Sequence, residues 1–253
     1  MKNELEFYDS IKDWDFSMIK YIEENLTNWD LYKILNDYTS PDCKILDLGT
    51  GGGEKVIKNF PITKEIIATD FSQEMINTAN KNLAKTERKD ILFKQMDNLN
   101  MTTPNDYFDM VVARHTCIDA NGIYKTLKNG GKLLLRGVDK LDCWQLKKLY
   151  GKGQAFKDDK PISLIDYENI LDAGFKNVEL VPIHIREYYK TKEDLLALLL
   201  KTPILSYFSE TEENNFDDKD KINMNLLDKY IQENTNEKGI LLIRRYYGIT
   251  AVK

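Results

Sequence analysis

The residues of this chain best suited to chemistry lie in one short stretch, Asp47, Gly49, Gly51 and Gly53, with Thr50 between the first two glycines. They end the apolar run Ile45-Leu46-Asp47-Leu48 and open the turn Gly49-Thr50-Gly51-Gly52-Gly53-Glu54. Glycine is required where backbone adopts positive φ or lies against a ligand with no Cβ in the way. Two kinds of cofactor use such a turn. A dinucleotide fold wants G-x-G-x-x-G, with its pyrophosphate received at a helix N-terminus. Counted from Gly49, the third glycine position falls on Glu54, whose carboxylate repels phosphate, so that reading is weakened. An acid two residues ahead of G-x-G-x-G instead suits a cofactor that carries cationic groups and no phosphate.

The loop needs a strand before it and partners at the ends of neighbouring strands. After a short helix stopped at Pro61, Glu65-Ile66-Ile67-Ala68-Thr69-Asp70 reads as a second strand with an acid at its carboxyl end. At that point of a nucleoside-binding sheet an acid can accept hydrogen bonds from both ribose hydroxyls. Ser72 is placed to cap the helix that follows Phe71, and Met75 returns one turn later. A third strand, Ile91 to Met96, ends at Asp97. A fourth spans Phe108 to Arg114, and a fifth spans Gly130 to Arg136.

This ordered series resembles the Rossmann-like (class I) S-adenosylmethionine-dependent methyltransferases of small-molecule type: D-x-G-x-G-x-G at Asp47 to Gly53, D-x-S-x-x-M at Asp70 to Met75, Phe-Asp before strand four, and Leu-Lys-Asn-Gly-Gly before strand five. Tyr8-Asp9-Ser10-Ile11-Lys12-Asp13-Trp14-Asp15 is similar to a segment that lies ahead of the core in that family and closes aromatic side chains over the cofactor. Here Trp14 stands for the second tyrosine and Lys12 for an alanine. The resemblance implies an α/β fold, a seven-stranded mostly parallel sheet with an antiparallel last strand, plus N-terminal and inserted helices. It also implies S-adenosylmethionine as cofactor. The implied cofactor residues are Tyr8, Trp14, Asp47, Gly49, Thr50, Gly51, Gly53, Asp70, Phe71, Ser72, Met75, Asp97, Asn98, Leu99 and Arg114. Of these, Asp97 is assigned to the adenine amino group, with Asn98 and Leu99 beside the ring. The same side chains at Tyr8, Ile11 and Trp14 also suit an amphipathic surface helix.

Composition narrows the partners. With 253 residues, 42% hydrophobic and 30% charged, the chain can bury one large core without a second domain. No apolar run reaches the length of a membrane span, and Met-Lys-Asn-Glu-Leu-Glu lacks the apolar stretch of a signal peptide, so a cytoplasmic protein is expected. Cys43, Cys117 and Cys143 have neither disulfide-framework nor metal-ligand spacing, and no metal is expected. A net charge of -5, with no basic stripe, argues against nucleic acid as partner. The chain has Arg114-His115-Thr116-Cys117 where base amino-methylating enzymes carry an Asn/Asp-Pro-Pro-aromatic turn, and Cys117 does not follow a proline. A small-molecule acceptor is the leading expectation, and the oligomeric state stays open. The same core acting on tRNA or protein, or binding the cofactor without turnover, are the alternatives.

The whole chain is expected to form a single methyltransferase domain: a helical cap over 1–40, the core over 41–189 and 239–253, and a helical insertion over 190–238 as a candidate substrate lid. Helices are predicted for Trp144 to Tyr150, Ser163 to Ala173, Lys192 to Leu200 and Lys219 to Glu233, and Ser209 to Asp220 for an acidic loop. Strands are predicted around Val178 to Tyr188 and over Gly239 to Val252. The insertion's other reading is a helical buttress. Methyl transfer needs chiefly that nucleophile, methyl and sulfur be held in line, a positioning effect worth roughly 7 to 11 kcal/mol. Of two histidines, His115 follows strand four and is the candidate base or acceptor contact; helix capping or simple packing is the alternative. His184 is out of phase with Ile183 and Ile185 and is expected to be a solvent-facing or edge residue.

Overall fold

The computed structural model describes residues 18–206 and 222–253, in two compact units. The glycine-loop unit comprises Trp29–Gly137, Ser163–Val181 and Tyr247–Lys253. Its strands are β2 (Lys44–Leu48), β3 (Glu65–Asp70), β4 (Ile91–Gln95), β5 (Phe108–Arg114), nearly all of β6 (Leu127–Val138), and the outer halves of β7 (Lys176–Tyr189) and β9 (Gly239–Val252). They run in the order β7-β9-β6-β5-β2-β3-β4. β2 pairs in parallel with both β3 and β5, and β5 in parallel with β6. β9 exchanges reciprocal bonds with β6 (Gly130 N to Lys253 O 3.0 Å, Lys253 N to Gly131 O 2.9 Å), the arrangement of an antiparallel neighbour.

β2 is buried along almost its whole length, as a central parallel strand covered on both faces must be. Leu31 and Leu35 of helix α1 (Leu31–Tyr38), Val56 of α2 (Glu54–Asn59), and Ile76 and Ala79 of α3 (Gln73–Leu83) close over Ile45, Ile66, Met110 and Val112 to form this unit's core. α2 stops where Pro61 forces its predecessor out of helical backbone. The carbonyls left at that end are taken by Arg88, which reaches Ile57 O (3.2 Å), Phe60 O (2.9 Å) and Pro61 O (3.2 Å) and is held by Asp90 (2.8 Å). Helices α4 (Ala120–Thr126) and α6 (Ile162–Asp172) complete the unit.

Strand order and register explain why the motifs meet. The chain builds β2, β3 and β4 outward in one direction, then returns to lay β5 and β6 on the other side of β2. That makes a topological switch point between β2 and β5, where open α/β sheets bind ligands at their carboxyl ends. Leu48 pairs with Thr69 and with Ala113, Asp70 with Gln95, and Arg114 with Arg136, so all five strands finish level.

The other unit comprises Met1–Asn28, Val138–Ile162 and Pro182–Tyr246. Its helices α5 (Trp144–Tyr150), α7 (Lys192–Lys201) and α8 (Met224–Asn234) gather around a core of Leu146, Tyr189, Leu195, Leu198, Leu199, Ile204, Leu227, Tyr230 and Leu242. Leu195, Leu198, Leu199 and Leu227 of the insertion thus lie in their own unit's interior, whereas Leu200 is exposed. Arg244 is buried there with Asp142 (3.0 Å) and Glu187 (3.2 Å), and Tyr189 donates its hydroxyl to Glu187 at 2.5 Å. His184 is exposed between buried Ile183 and Ile185.

Two expectations need correction. Within the stretch expected to be a helical cap, Tyr21–Asn25 is strand β1, antiparallel to β7 with Tyr21 opposite Tyr189. β1 pairs along Ile185 to Tyr189 of β7, and a strand added there covers an open edge; local composition carries no sign of that pairing. Among the described residues the sheet has nine strands where seven were expected, because β1 and the two-residue β8 (Thr235–Asn236), which pairs with β9, add to it. The predicted acidic loop at Ser209 to Asp220 and the first residues of the last predicted helix lie outside the described residues, as do Tyr8 and Trp14.

Candidate active site

The glycine-loop unit gathers Asp47, the loop, Asp70, Asp97 and Arg114-His115 at one end of its sheet. The amides of Gly49 and Thr50 both donate to Thr69 O (2.9 and 2.8 Å), which turns the loop back over β3. Gly51 N donates to one Asp70 oxygen (2.8 Å) and Ser72 N to the other (3.0 Å). A carboxylate has about four acceptor positions. Asp70 thus braces the loop with one oxygen and the start of the following helix with the other.

The three motif glycines all have positive φ, but for different neighbours. A Cβ on Gly49 would stand 2.6 Å from Thr116 Cβ, and one on Gly53 would stand 2.6 Å from the Phe93 ring. A Cβ on Gly51 would meet nothing within 4 Å. Gly49 and Gly53 are demanded by packing, whereas Gly51 faces open space, as a cradle for a ligand requires.

Asp47 is 4% exposed. Burial pushes its carboxyl up to about 7; the Thr50 hydroxyl and Arg114 draw it back, and Asp70 raises it. Its acid form therefore persists to higher pH than that of an ordinary carboxyl, and a cation beside it would favour the carboxylate.

Ser72 accepts from Met75 N (3.3 Å) and so caps α3, with Met75 buried. Phe71 and Leu99 are exposed apolar side chains at the ends of β3 and β4. Asp97 accepts from Leu99 N (2.9 Å) and Asn100 Nδ2 (2.7 Å), which shapes that turn. Asn98 is buried, and its amide donates to Thr116 Oγ1 at 2.9 Å, so its side chain braces the site from behind.

His115 has φ 56°, rare for a residue with a Cβ, and its amide donates to Arg136 O (2.8 Å). Its Nε2 lies 2.9 Å from Arg136 Nη1. Arginine only donates, so Nε2 accepts and the neutral ring carries its proton on Nδ1. Arg136 is a neighbour that sequence reasoning missed, as are Thr116, Tyr32 and Lys55. Each comes from a different element, and only the strand register brings them together.

Residues 39–161 match the sequence profile of a family described as methyltransferase domain. Ribosomal protein L11 methyltransferase of Listeria innocua is 28% identical over 111 residues, which cover 42% of this chain and 35% of that protein. The chain thus aligns with about a third of the length of that relative. Among solved structures, a candidate methyltransferase from Bacillus halodurans has a TM-score of 0.60 at 17% identity, covering 88% of this chain and 98% of its own. Haemonchus contortus phosphoethanolamine N-methyltransferase, in complex with phosphomonomethylethanolamine and S-adenosylhomocysteine, has a TM-score of 0.50 at 20% identity, covering 88% and 52%. These structures share the fold. The profile match falls on the loop, the acids and the strand ends described above, so residues 39–161 are similar to the family described as methyltransferase domain, on a fold shared with those solved structures.

Proposed function

We propose that this protein binds S-adenosylmethionine across the carboxyl ends of β2, β3 and β4 and transfers its methyl group to a small-molecule acceptor near the end of β5. The observation that carries the reading is Asp70 at the end of β3, bonded to Gly51 N while the Gly51 Cα faces open space. Asp70 would accept the ribose hydroxyls. Phe71 and Leu99 would flank the adenine, with Asp97 toward its amino group. Asp47 would face the donor's positive amino-acid end. When bound, the donor supplies a methyl group on a sulfonium, which leaves as a neutral thioether. The chain's own work is to align: the acceptor atom forms its bond to carbon as the carbon–sulfur bond breaks, and the electron pair stays on sulfur.

His115 is proposed as the acceptor contact or base. With Nε2 engaged by Arg136, the ring can take a proton there only once Arg136 yields, or can donate from Nδ1. The net charge of -5 supports a metabolite over nucleic acid. A second reading, a protein acceptor, is favoured by the L11 methyltransferase similarity. Calorimetry with S-adenosylmethionine, S-adenosylhomocysteine and NAD tests the donor. Incubation of labelled donor with metabolite extract and, separately, with ribosomal protein L11 tests the acceptor. NAD bound as tightly as the sulfonium compound would refute the donor; label on L11 alone would replace the metabolite reading.

A further inference from the structure

The carboxyl ends of β5 and β6 set two arginines and a histidine against one another. Arg114 and Arg136 are register partners across these parallel strands, so their side chains leave the sheet on the same face. Both act on the Tyr32 hydroxyl and on the Lys55 amine, as neighbours on one face must. Like charges set directly opposite each other are destabilising. Asp47 is the acid that Arg114 acts on, and burial keeps its acid form to higher pH than that of an ordinary carboxyl. The residue after Arg114, His115, turns back at its positive φ and brings Nε2 to 2.9 Å from Arg136 Nη1. Unfavourable backbone held at a candidate site is a pointer to function.

That contact conflicts with the role proposed for His115. Arginine donates and does not accept, so the ring is neutral, with Nε2 as acceptor, for as long as the contact lasts. A base must take its proton on Nε2, because Nδ1 already holds one. The imidazolium so formed would turn a new N–H toward Arg136, with Arg114 on the neighbouring strand. Three such cations repel one another unless an anion lies among them. An oxyanion is the group that arginine binds through paired N–H bonds, and its oxygens can replace Nε2 on Arg136. We propose that the methyl acceptor carries an oxyanion, a carboxylate or a phosphate, which engages Arg136 and Arg114 and releases His115 to act as base. The proton of the accepting atom passes to Nε2 as that atom bonds the methyl carbon. The carbon–sulfur electron pair stays on sulfur, and the oxyanion offsets the charge of the new imidazolium. This rests on the donor and base readings above and adds the chemical class of the acceptor.

Long-range proton–nitrogen NMR of the full chain, labelled at histidine and saturated with S-adenosylhomocysteine, reads the state of Nε2 directly. His115→Gln assigns the signal, and exposed His184 is the internal control. Acetate and inorganic phosphate would be titrated separately at neutral pH, against sodium chloride at equal ionic strength. A saturable change at His115 is expected with at least one oxyanion, with none at His184 or with chloride, and it should be lost in Arg136→Gln. The oxyanion that acts at lower concentration gives the acidic group of the acceptor. No response to either oxyanion, an equal response to chloride, or a response unchanged in Arg136→Gln overturns the proposal. Should Arg136→Gln fail to fold by circular dichroism, Arg136→Lys takes its place, and half-saturation should need roughly ten-fold more oxyanion because the paired bonds are lost. In the labelled-donor screen the methylated metabolite should carry that acidic group, and its esterified or dephosphorylated counterpart should lose roughly a hundred-fold or more in kcat/KM. A methylated metabolite with no acidic group overturns the proposal and leaves the donor reading standing. A chain that binds neither adenosyl compound refutes the donor reading instead, and the same titration of the unloaded chain then decides whether an oxyanion parts His115 from Arg136.

Discussion

Asp47→Asn separates the loop's electrostatics from its shape. The wild-type carboxyl is 4% exposed and sits at about 7 against an ordinary 3.8, chiefly through burial. That gap corresponds to ~4 kcal/mol, good to about a factor of two, by which ionisation at high pH opposes the folded state. The folded chain binds more protons than the unfolded one between about pH 4 and pH 7, so this contribution is fully present below 4 and lost as pH rises through 7. Asn is neutral throughout. Thermal unfolding of both proteins from pH 4 to pH 8.5 should show a gap in favour of Asn that widens to roughly 10 °C by pH 7 and then stays constant. Donor binding should move the other way. A cation beside Asp47 favours the carboxylate, so wild-type affinity for S-adenosylmethionine should climb with pH up to about 7, while the Asn variant binds more weakly and without that slope. A stability gap independent of pH would refute the raised carboxyl, and parallel affinity curves would place the donor's cation elsewhere.

Asp70→Ala should weaken donor affinity by two charge-assisted ribose bonds of about 1.5 to 3 kcal/mol each, and calorimetry showing unchanged affinity would move the ribose site. Gly51→Ala should cost about 1 to 2 kcal/mol of stability through its positive φ yet impair donor binding severely, whereas Gly53→Ala adds a clash with Phe93 and should lower the melting temperature more; the reverse order in unfolding scans would contradict the assigned roles. His115→Ala should slow methyl transfer while leaving donor affinity within a few-fold, and collapse of donor binding in a folded variant would assign His115 to the donor instead. A bridge across all of 190–238 would remove Leu195, Leu198, Leu199 and Tyr230 from a core and should unfold that unit. Replacing 207–221 alone with Gly-Ser should preserve donor binding and, on the proposal that the insertion selects the acceptor, broaden or abolish turnover; unaltered acceptor kinetics would leave it a buttress.

Local sequence determined much of the glycine-loop unit. Asp47 to Gly53 announces a strand and a positive-φ turn because each motif glycine carries its requirement in its own backbone. Ser72 caps α3 because a serine oxygen reaches the amide three residues on, and Pro61 ends α2 through its own ring. The order of these motifs along the chain also announced the parallel sheet that aligns Asp47, Asp70 and Asp97. Which glycine is left facing open space was decided only in three dimensions, since Thr116, just past β5, and Phe93 of β4 reach Gly49 and Gly53 from far along the chain. The same holds for the contact of His115 with Arg136, which the register of β5 and β6 brings together with no shared spacing. β1 was invisible locally because an edge strand takes its conformation from the strand it joins. Leu195, Leu198 and Leu199 of the insertion could have met a ligand or a core, and hydrophobicity alone does not distinguish the two; they share a core cluster with Tyr189, Leu227 and Tyr230. Residue type is a local property, whereas proximity comes from strand register and helix packing, which the whole chain settles at once.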